Sequence, residues 1–245
     1  MISGGQDQTM GIVFDNDDGP SVYLEHGTWS DLSVLSMYGD SSRLSSSPES
    51  SAIWSLYVPV DGLYQVDAWW PKQPEYSTSV PYVVAHRNGH SEIRMDQRQT
   101  GDEWIRLGLF AFDRGSDNNV RVVCPGGGQA GADAIRLVYF SRPDSDSDGD
   151  GFSDGNELVA GTSPTDSREL FVIRSTQSIP DGDGMVFRWD TVSGRTYSVF
   201  SHTDLATPWP ADPVYQVNGD GSQKAYTNSA PDGLRFFRIG VESLD

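Results

Sequence analysis

One cysteine, Cys124, stands among 245 residues, which excludes an internal disulfide framework and a four-cysteine zinc site. Followed by Pro125 and a glycine run, it reads as a small buried apolar residue near a strand end. Positive charge is scarce as well: 17 Lys and Arg face 35 Asp and Glu, a formal net charge of −18. Nothing in such a chain replaces phosphate counterions, so nucleic acid is excluded as a partner. Docking on anionic lipid is disfavoured for the same reason. No apolar run approaches the length of a membrane span, and no membrane insertion is expected. The opening residues, Met1-Ile2-Ser3-Gly4-Gly5-Gln6, have neither a basic n-region nor an apolar h-region. A signal peptide is thus absent as written, which suits either a cytoplasmic protein or an excised piece of a longer secreted one.

The usual marks of catalysis are missing too. The four histidines, His26, His86, His90 and His202, show no H-E-x-x-H spacing for zinc. His86 and His90 flank Arg87-Asn88-Gly89, a hairpin-like turn, where a four-residue interval has no helical meaning. There is no G-x-S-x-G elbow, and Gly126-Gly127-Gly128 lacks the lysine of a phosphate loop. With so many carboxylates a glycosidase pair can be drawn almost anywhere, so none is informative. The chain is expected not to be an enzyme.

What is present is alternation. Ala52-Ile53-Trp54-Ser55-Leu56-Tyr57-Val58 and Tyr64-Gln65-Val66-Asp67-Ala68-Trp69-Trp70 both run apolar to polar with period two. Pro59-Val60-Asp61-Gly62 supplies the turn between them. Further strands are predicted at 12–14, 82–85, 92–95, 105–112, 120–123 and 134–140. A second set falls at 170–175, 185–190, 196–201, 214–217, 224–227 and 235–241. Asp183-Gly184 and Asn218-Gly219-Asp220-Gly221 mark hairpin turns. No long amphipathic helix is evident. The fold class is therefore all-β: two β-sandwich domains, 1–142 and 168–245, joined by an acidic loop with a short helical turn at 143–167.

That middle stretch holds 7 acids and no base. It cannot form a core and repels itself, so it is either a disordered tether or a metal site. From Asp146 it reads Asp146-x-Asp148-x-Asp150-Gly151, then five residues to Glu157, the full twelve-residue calcium-loop pattern. Ca²⁺ wants six to eight oxygens, and carboxylates at every second position converge only if the chain turns sharply at the glycine. The ligand set is Asp146, Asp148, Asp150, the Phe152 carbonyl, Asp154 directly or through water, and a bidentate Glu157. A helical turn near 155–160 should end at Gly161, and Asp144 and Asp166 are further possible ligands. The run from Asp146 to Glu157, followed by Gly161-Thr162-Ser163-Pro164, resembles the bacterial thrombospondin type 3 repeat over about 25 residues. That resemblance implies a structural, extracellular calcium linker. Millimolar extracellular calcium keeps a weak site full where cytosolic calcium does not, so the longer secreted protein becomes the better account of the missing leader.

In the first domain, Val13-Phe14-Asp15-Asn16-Asp17-Asp18, Trp54 before Val58-Pro59, Gly62-Leu63-Tyr64, Trp69-Trp70-Pro71 and Pro81-Tyr82 recur in a familiar order. Asp96-Gln97-Arg98, Trp104-Ile105-Arg106-Leu107-Gly108 and Ala132-Asp133-Ala134-Ile135-Arg136 follow. Together, over about residues 11–140, they resemble the golvesin/xanthan-lyase-type carbohydrate-binding domain, a β-sandwich. The resemblance implies polysaccharide binding. Sugar recognition sets aromatic faces against pyranose C–H faces, with polar side chains fixing the hydroxyls.

If Tyr64, Val66 and Ala68 face inward, so does Trp70, and Trp69 points out as the leading platform. Tyr76, in the polar loop 72–79, is a second candidate. Trp29, Tyr38 and Tyr23 lie in a Ser/Asp-rich stretch, and Arg98 could hold an anionic sugar bidentately. Trp54 and Trp104 are assigned to the core. Asp96-Gln97-Arg98 and Asp133 also suit structural hydrogen bonding, and Asp15–Asp18 reads first as a turn.

The C-terminal segment, with Arg195-Thr196-Tyr197-Ser198-Val199, Trp209 between two prolines, and Arg235-Phe236-Phe237-Arg238-Ile239, loosely resembles terminal β-sandwiches of secreted bacterial proteins. The whole is expected to be a monomeric, extracellular or cell-surface polysaccharide-binding region. It would bind Ca²⁺ and be covalently joined to a catalytic domain. The alternative is a structural stalk or adhesion module without glycan affinity.

Overall fold

A computed structural model describes residues 11–179, 184–229 and 234–243. The leader residues 1–6 and Asp183 of the Asp183-Gly184 turn lie outside that set. The chain divides into two compact units, Met1–Pro143 and Asp144–Asp245, so the acidic stretch falls in the second unit. Among the described residues no helix is long and apolar enough to cross a membrane.

The first unit contains β1 (Ile12–Asp15), β2 (Tyr23–His26), β3 (Ser30–Leu32), β4 (Ser42–Ser45), β5 (Ser51–Val58) and β6 (Gly62–Trp69). It continues with β7 (Val80–His86), β8 (Gly89–Met95), β9 (Ile105–Phe112), β10 (Gly115–Val123), β11 (Ala130–Ala132) and β12 (Ala134–Ser141). Its sheets run β1-β12-β6-β9, β2-β5-β10-β7-β8 and β11-β4-β3, and the named strand pairs are antiparallel. Period-two alternation sends Ala52, Trp54, Leu56 and Val58 of β5 into the core. Val66 and Ala68 of β6, Val120 and Val122 of β10, and Tyr82 and Val84 of β7 join them. Each large apolar side chain so buried contributes about 1.5–3 kcal/mol. The His86–His90 interval is the β7–β8 hairpin, with His86 paired to Gly89.

The second unit opens on the acidic loop and α1 (Asp154–Ala160). Ser153 caps α1 by accepting from Asn156 N–H, and Gly161 ends it at φ 81°, its N–H bonded to the Glu157 carbonyl. That left-handed C-terminal position suits a residue without a Cβ. Then come β13 (Ile173–Ser178), β14 (Met185–Asp190), β15 (Arg195–His202), β16 (Tyr215–Asn218), β17 (Gln223–Asn228) and β18 (Phe236–Ser243). They form two three-stranded sheets, β13-β14-β17 and β16-β15-β18, over a core of Phe187, Trp189, Tyr197 and Val199. Both units are antiparallel β structures of the sandwich class, as the alternation predicts.

The helix is tied to its own unit by one side chain. Arg195 donates from Nε to the Val159 carbonyl (2.6 Å) and from Nη2 to the Leu158 carbonyl (2.9 Å). These are carbonyls of the last turn, which have no helical donor and carry the negative end of the helix dipole.

Candidate functional site

On the outward face of the β1-β12-β6-β9 sheet, Asp67 of β6 lies opposite Arg136 of β12 and Arg106 of β9. Asp67 is 1% exposed. Its Oδ2 accepts from Arg136 Nη2 (2.6 Å) and Nε (3.0 Å), and its Oδ1 accepts from Gln65 Nε2 (2.8 Å). A buried carboxylate needs such pairing to remain charged. The pair also orients the arginine, whose guanidinium carbon lies 4.6 Å from the centroid of Trp104, within cation–π range.

Trp104 is one of three half-buried rings. Its centroid is 5.5 Å from Trp69 and 5.1 Å from Tyr38, and Tyr38 is 5.9 Å from Trp69. The tilted and edge-on angles are those that ring quadrupoles favour. Tyr38 comes from the loop before β4, and that loop is pinned at three points. Trp69 Nε1 donates to the Ser36 carbonyl (2.8 Å), and Tyr38 N–H donates to Asp133 Oδ2 (3.0 Å). Gly39, at φ 64°, sits against Asp15, where an added Cβ would be 2.9 Å from Asp15 Oδ2. The ring cluster is thus built in place, with fixed polar groups beside it.

Trp69 and Tyr38 were separate expectations, and the structure brings them together. Trp104, assigned from sequence to the core, and Arg136 complete the group. The signal that could have found them was the shared outward phase of Asp67, Trp69 and Arg136 on alternating strands. Trp29 is elsewhere, half-buried against the core with its Nε1 donating to the His26 carbonyl (3.3 Å). Arg98 is exposed, and its backbone N–H bonds Asp96 Oδ1. Gln97 beside it is wholly buried, joining the Tyr82 hydroxyl to both backbone polar groups of Gly131.

Tyr76 is a correction. It was expected as an exposed loop ring, yet it is 2% exposed. Ser77 N–H donates to the Gln129 carbonyl and Gln97 N–H to the Ser77 carbonyl, so backbone bonding draws the polar loop down. The ring then fills the space beside Gly131, where a Cβ would stand 2.7 Å from it. Tyr76 is a core residue.

Asp133 is fully buried, and its Oδ1 has no hydrogen-bond partner. Burial, reinforced by the charges of Asp15 and Asp17, pushes its carboxyl up to about 8. Asp15, raised first by burial and then by neighbouring aspartates, rises to about 6.

The acidic loop is wound on its own backbone. Asp146 Oδ1 accepts from the N–H groups of Gly149 (2.8 Å) and Asp150 (3.2 Å), and its Oδ2 accepts from that of Gly151 (3.0 Å). Gly149 and Gly151 take φ of 77° and 96°, open to glycine at no steric cost. Carboxylate oxygens of Asp146, Asp148 and Asp150 lie within 4.8 Å of one another.

Asp148 Oδ2, Asp150 Oδ2 and both oxygens of Glu157 are buried without a hydrogen-bond donor. Glu157 itself is 2% exposed. Burial, then the charges of Asp148, Asp150, Asp154 and Asp146, pushes its carboxyl up to about 7. Four orphaned oxygens on hard carboxylates are the type of donor Ca²⁺ takes and make up part of its six to eight ligands, so the residues present fit the ion.

Asp154 does something else. Its Oδ1 accepts from Ser147 N–H (2.8 Å) and its Oδ2 from the Ser147 hydroxyl (2.6 Å). Sitting at the first turn of α1, it latches the loop shut through Ser147. Asp166 is likewise committed, to Arg168.

Comparison with known proteins bears on the first unit. The Golvesin C-terminal domain family matches residues 12–139. The chain belongs to that family. This golvesin-type chain is 25% identical over 145 residues to the xanthan lyase of Bacillus sp. (strain GL1), covering 56% of the chain and 16% of the lyase. It is 31% identical over 118 residues to golvesin of Dictyostelium discoideum, covering 48% and 20%. The solved structure of Paenibacillus xanthan lyase aligns with a TM-score of 0.50 and 27% identity over 53% of this chain and 13% of that one. The golvesin-type chain therefore spans a fifth or less of the relatives it matches.

Proposed function

We propose that this chain is a non-catalytic polysaccharide-binding region of a larger secreted protein that acts on carbohydrate, with a calcium ion stiffening its second unit. The observation that carries the reading is the Trp69–Trp104–Tyr38 cluster beside the Asp67–Arg136 pair. It lies within a domain whose relatives include a xanthan lyase. Preset aromatic rings offer apolar faces to a pyranose, and rings held by hydrogen bonds lose little entropy on binding. In the acidic loop, Asp146, Asp148, Asp150 and Glu157 would hold Ca²⁺, with the Phe152 carbonyl as a further oxygen. Phe152 leaves its ring 46% exposed, so its backbone is what it brings to the loop. The ion supplies charge neutralisation that the loop lacks.

The test is affinity-gel electrophoresis of the chain against a panel of neutral polysaccharides, alongside Trp69→Ala and Trp104→Ala. Retardation of the parent chain, weakened about tenfold in either variant, is the expected result. A parent chain that migrates unretarded on every gel overturns neutral-glycan binding at the Trp69 cluster and favours the stalk reading of the first unit.

A further inference from the structure

The second unit lies outside the matched residues 12–139, yet its outer sheet carries a chemically distinct group. Tyr197 and Val199 of β15 are buried in the core, so Phe200 lies on the opposite face. There it pairs across the strands with Arg238 of β18. The next pair on the same face, Ser198 and Gly240, leaves room for the ring: a Cβ on Gly240 would come 3.3 Å from the Phe200 edge. Arg238 has its guanidinium carbon 4.7 Å from the centroid of Phe200 and 4.9 Å from that of Trp209. One cation is held by two aromatic faces.

Trp209 is itself fixed. It follows Pro208 and precedes Pro210, and its ring meets His202 edge-on at 5.7 Å. His202 Nδ1 accepts from Asp204 N–H (2.9 Å), and its Nε2 lies 3.0 Å from the Pro208 carbonyl. A single neutral tautomer, protonated at Nε2, satisfies both contacts. The loop that presents Trp209 is thereby closed onto the end of β15.

Among the described residues, every other Lys or Arg of this unit has a polar partner. Arg168, Arg174 and Lys224 pair with aspartates, Arg188 meets Gln177, Arg195 meets helix carbonyls and Arg235 meets Ser201. Arg238, exposed, has rings alone. In a chain of net charge −18, this guanidinium is kept clear of carboxylates and braced on both sides, so its outward N–H groups are open to an anionic partner. Its fork matches a carboxylate in two parallel hydrogen bonds.

We infer that Arg238 and Trp209 form a second glycan subsite, specific for a uronic acid residue. The carboxylate meets the outward edge of the Arg238 guanidinium between the two rings, and the pyranose packs beside it against the edge of the Trp209 indole. The overall negative charge of the chain opposes densely charged polyanions, which favours glycans where uronate occurs among neutral sugars. This site is separate from the Trp69 cluster and stands or falls independently of it.

Titration of the ¹⁵N-labelled full chain with methyl glucuronide and methyl galacturonide, followed by NMR, tests the inference. At least one is expected to shift the Trp209 indole N–H and the Arg238 side-chain N–H in the millimolar range. Methyl glucoside and methyl galactoside should leave both unmoved. Arg238→Gln should weaken the uronide response about tenfold, as loss of a charge-assisted bidentate contact requires, while Trp69→Ala leaves it intact. Equal shifts from the neutral glycosides, silence with both uronides, or an equal response to a short glutamate peptide would each overturn it. A thermal melt of Arg238→Gln matching the parent shows that the loss is not unfolding.

Discussion

Arg136 Nη2 stands 2.6 Å from Asp67 Oδ2, and the two residues are unequally placed. Asp67 is almost wholly buried, whereas the arginine side chain keeps 29% of its surface. The asymmetry sets a prediction. Arg136→Ala strands a buried carboxylate and should cost about 3–5 kcal/mol in urea unfolding. Asp67→Asn should cost less, because a neutral amide is cheaper to bury and the arginine can still reach water. Equal costs would show that the carboxylate is better solvated than its burial indicates.

Calcium binding at the acidic loop, as proposed, should make thermal stability depend on the ion. At about a hundredfold excess over Kd the gain is about 2.7 kcal/mol, seen as a rise in Tm on adding calcium and a fall on adding chelator. Glu157→Gln removes the carboxylate charge and replaces one of the four orphaned oxygens with an amide nitrogen, and should abolish most of that rise. Asp154→Asn, which alters the Ser147 latch and no orphaned oxygen, should lower Tm with and without calcium alike.

Asp133 predicts a pH dependence of known sign. Its folded value of about 8 lies above the ordinary carboxylate value near 4. Between those limits the folded chain binds one more proton than the unfolded chain, so stability falls as pH rises. The contribution is whole below about pH 4 and gone above about pH 8. Asp133→Asn should therefore gain on the parent from pH 5 to about pH 8 and level off above it when the two melting curves are compared. A difference that stays constant across that range would remove the buried acid from the account.

Tyr76 gives the fourth prediction. Its hydroxyl is buried without a hydrogen-bond partner, so Tyr76→Phe should be neutral or stabilise by up to about 1 kcal/mol. Glycan binding should be unchanged. Gly131→Ala, which drives a methyl into the Tyr76 ring, should cost about 1–3 kcal/mol.

Alternation along β5 and β6 was enough to read the sandwich class, because period two and burial are the same fact seen twice. The winding of the acidic loop that gathers Asp146, Asp148 and Asp150 was equally legible, since it is fixed by local turn geometry at Gly149 and Gly151. Tyr76 was not, because its burial depends on Gln129 and Gly131, more than fifty residues away. Trp104 was misassigned for a related reason. Whether a ring at a strand entrance packs inward or stands beside an arginine is decided by the assembled sheet, and Arg136 lies on β12, on the far side of β6 from β9. Asp154 matched the ligand spacing, and spacing alone did not reveal that both its oxygens accept from Ser147.

Arg195 grips the Leu158 and Val159 carbonyls from strand β15, so the acidic loop has a mechanical clamp at its far end. Slack introduced by stripping the ion would reach that strand through α1. Chelation should then loosen amide protection along 195–202 as well as around 146–157, and the ion would act as a rivet for a sheet whose atoms it never contacts.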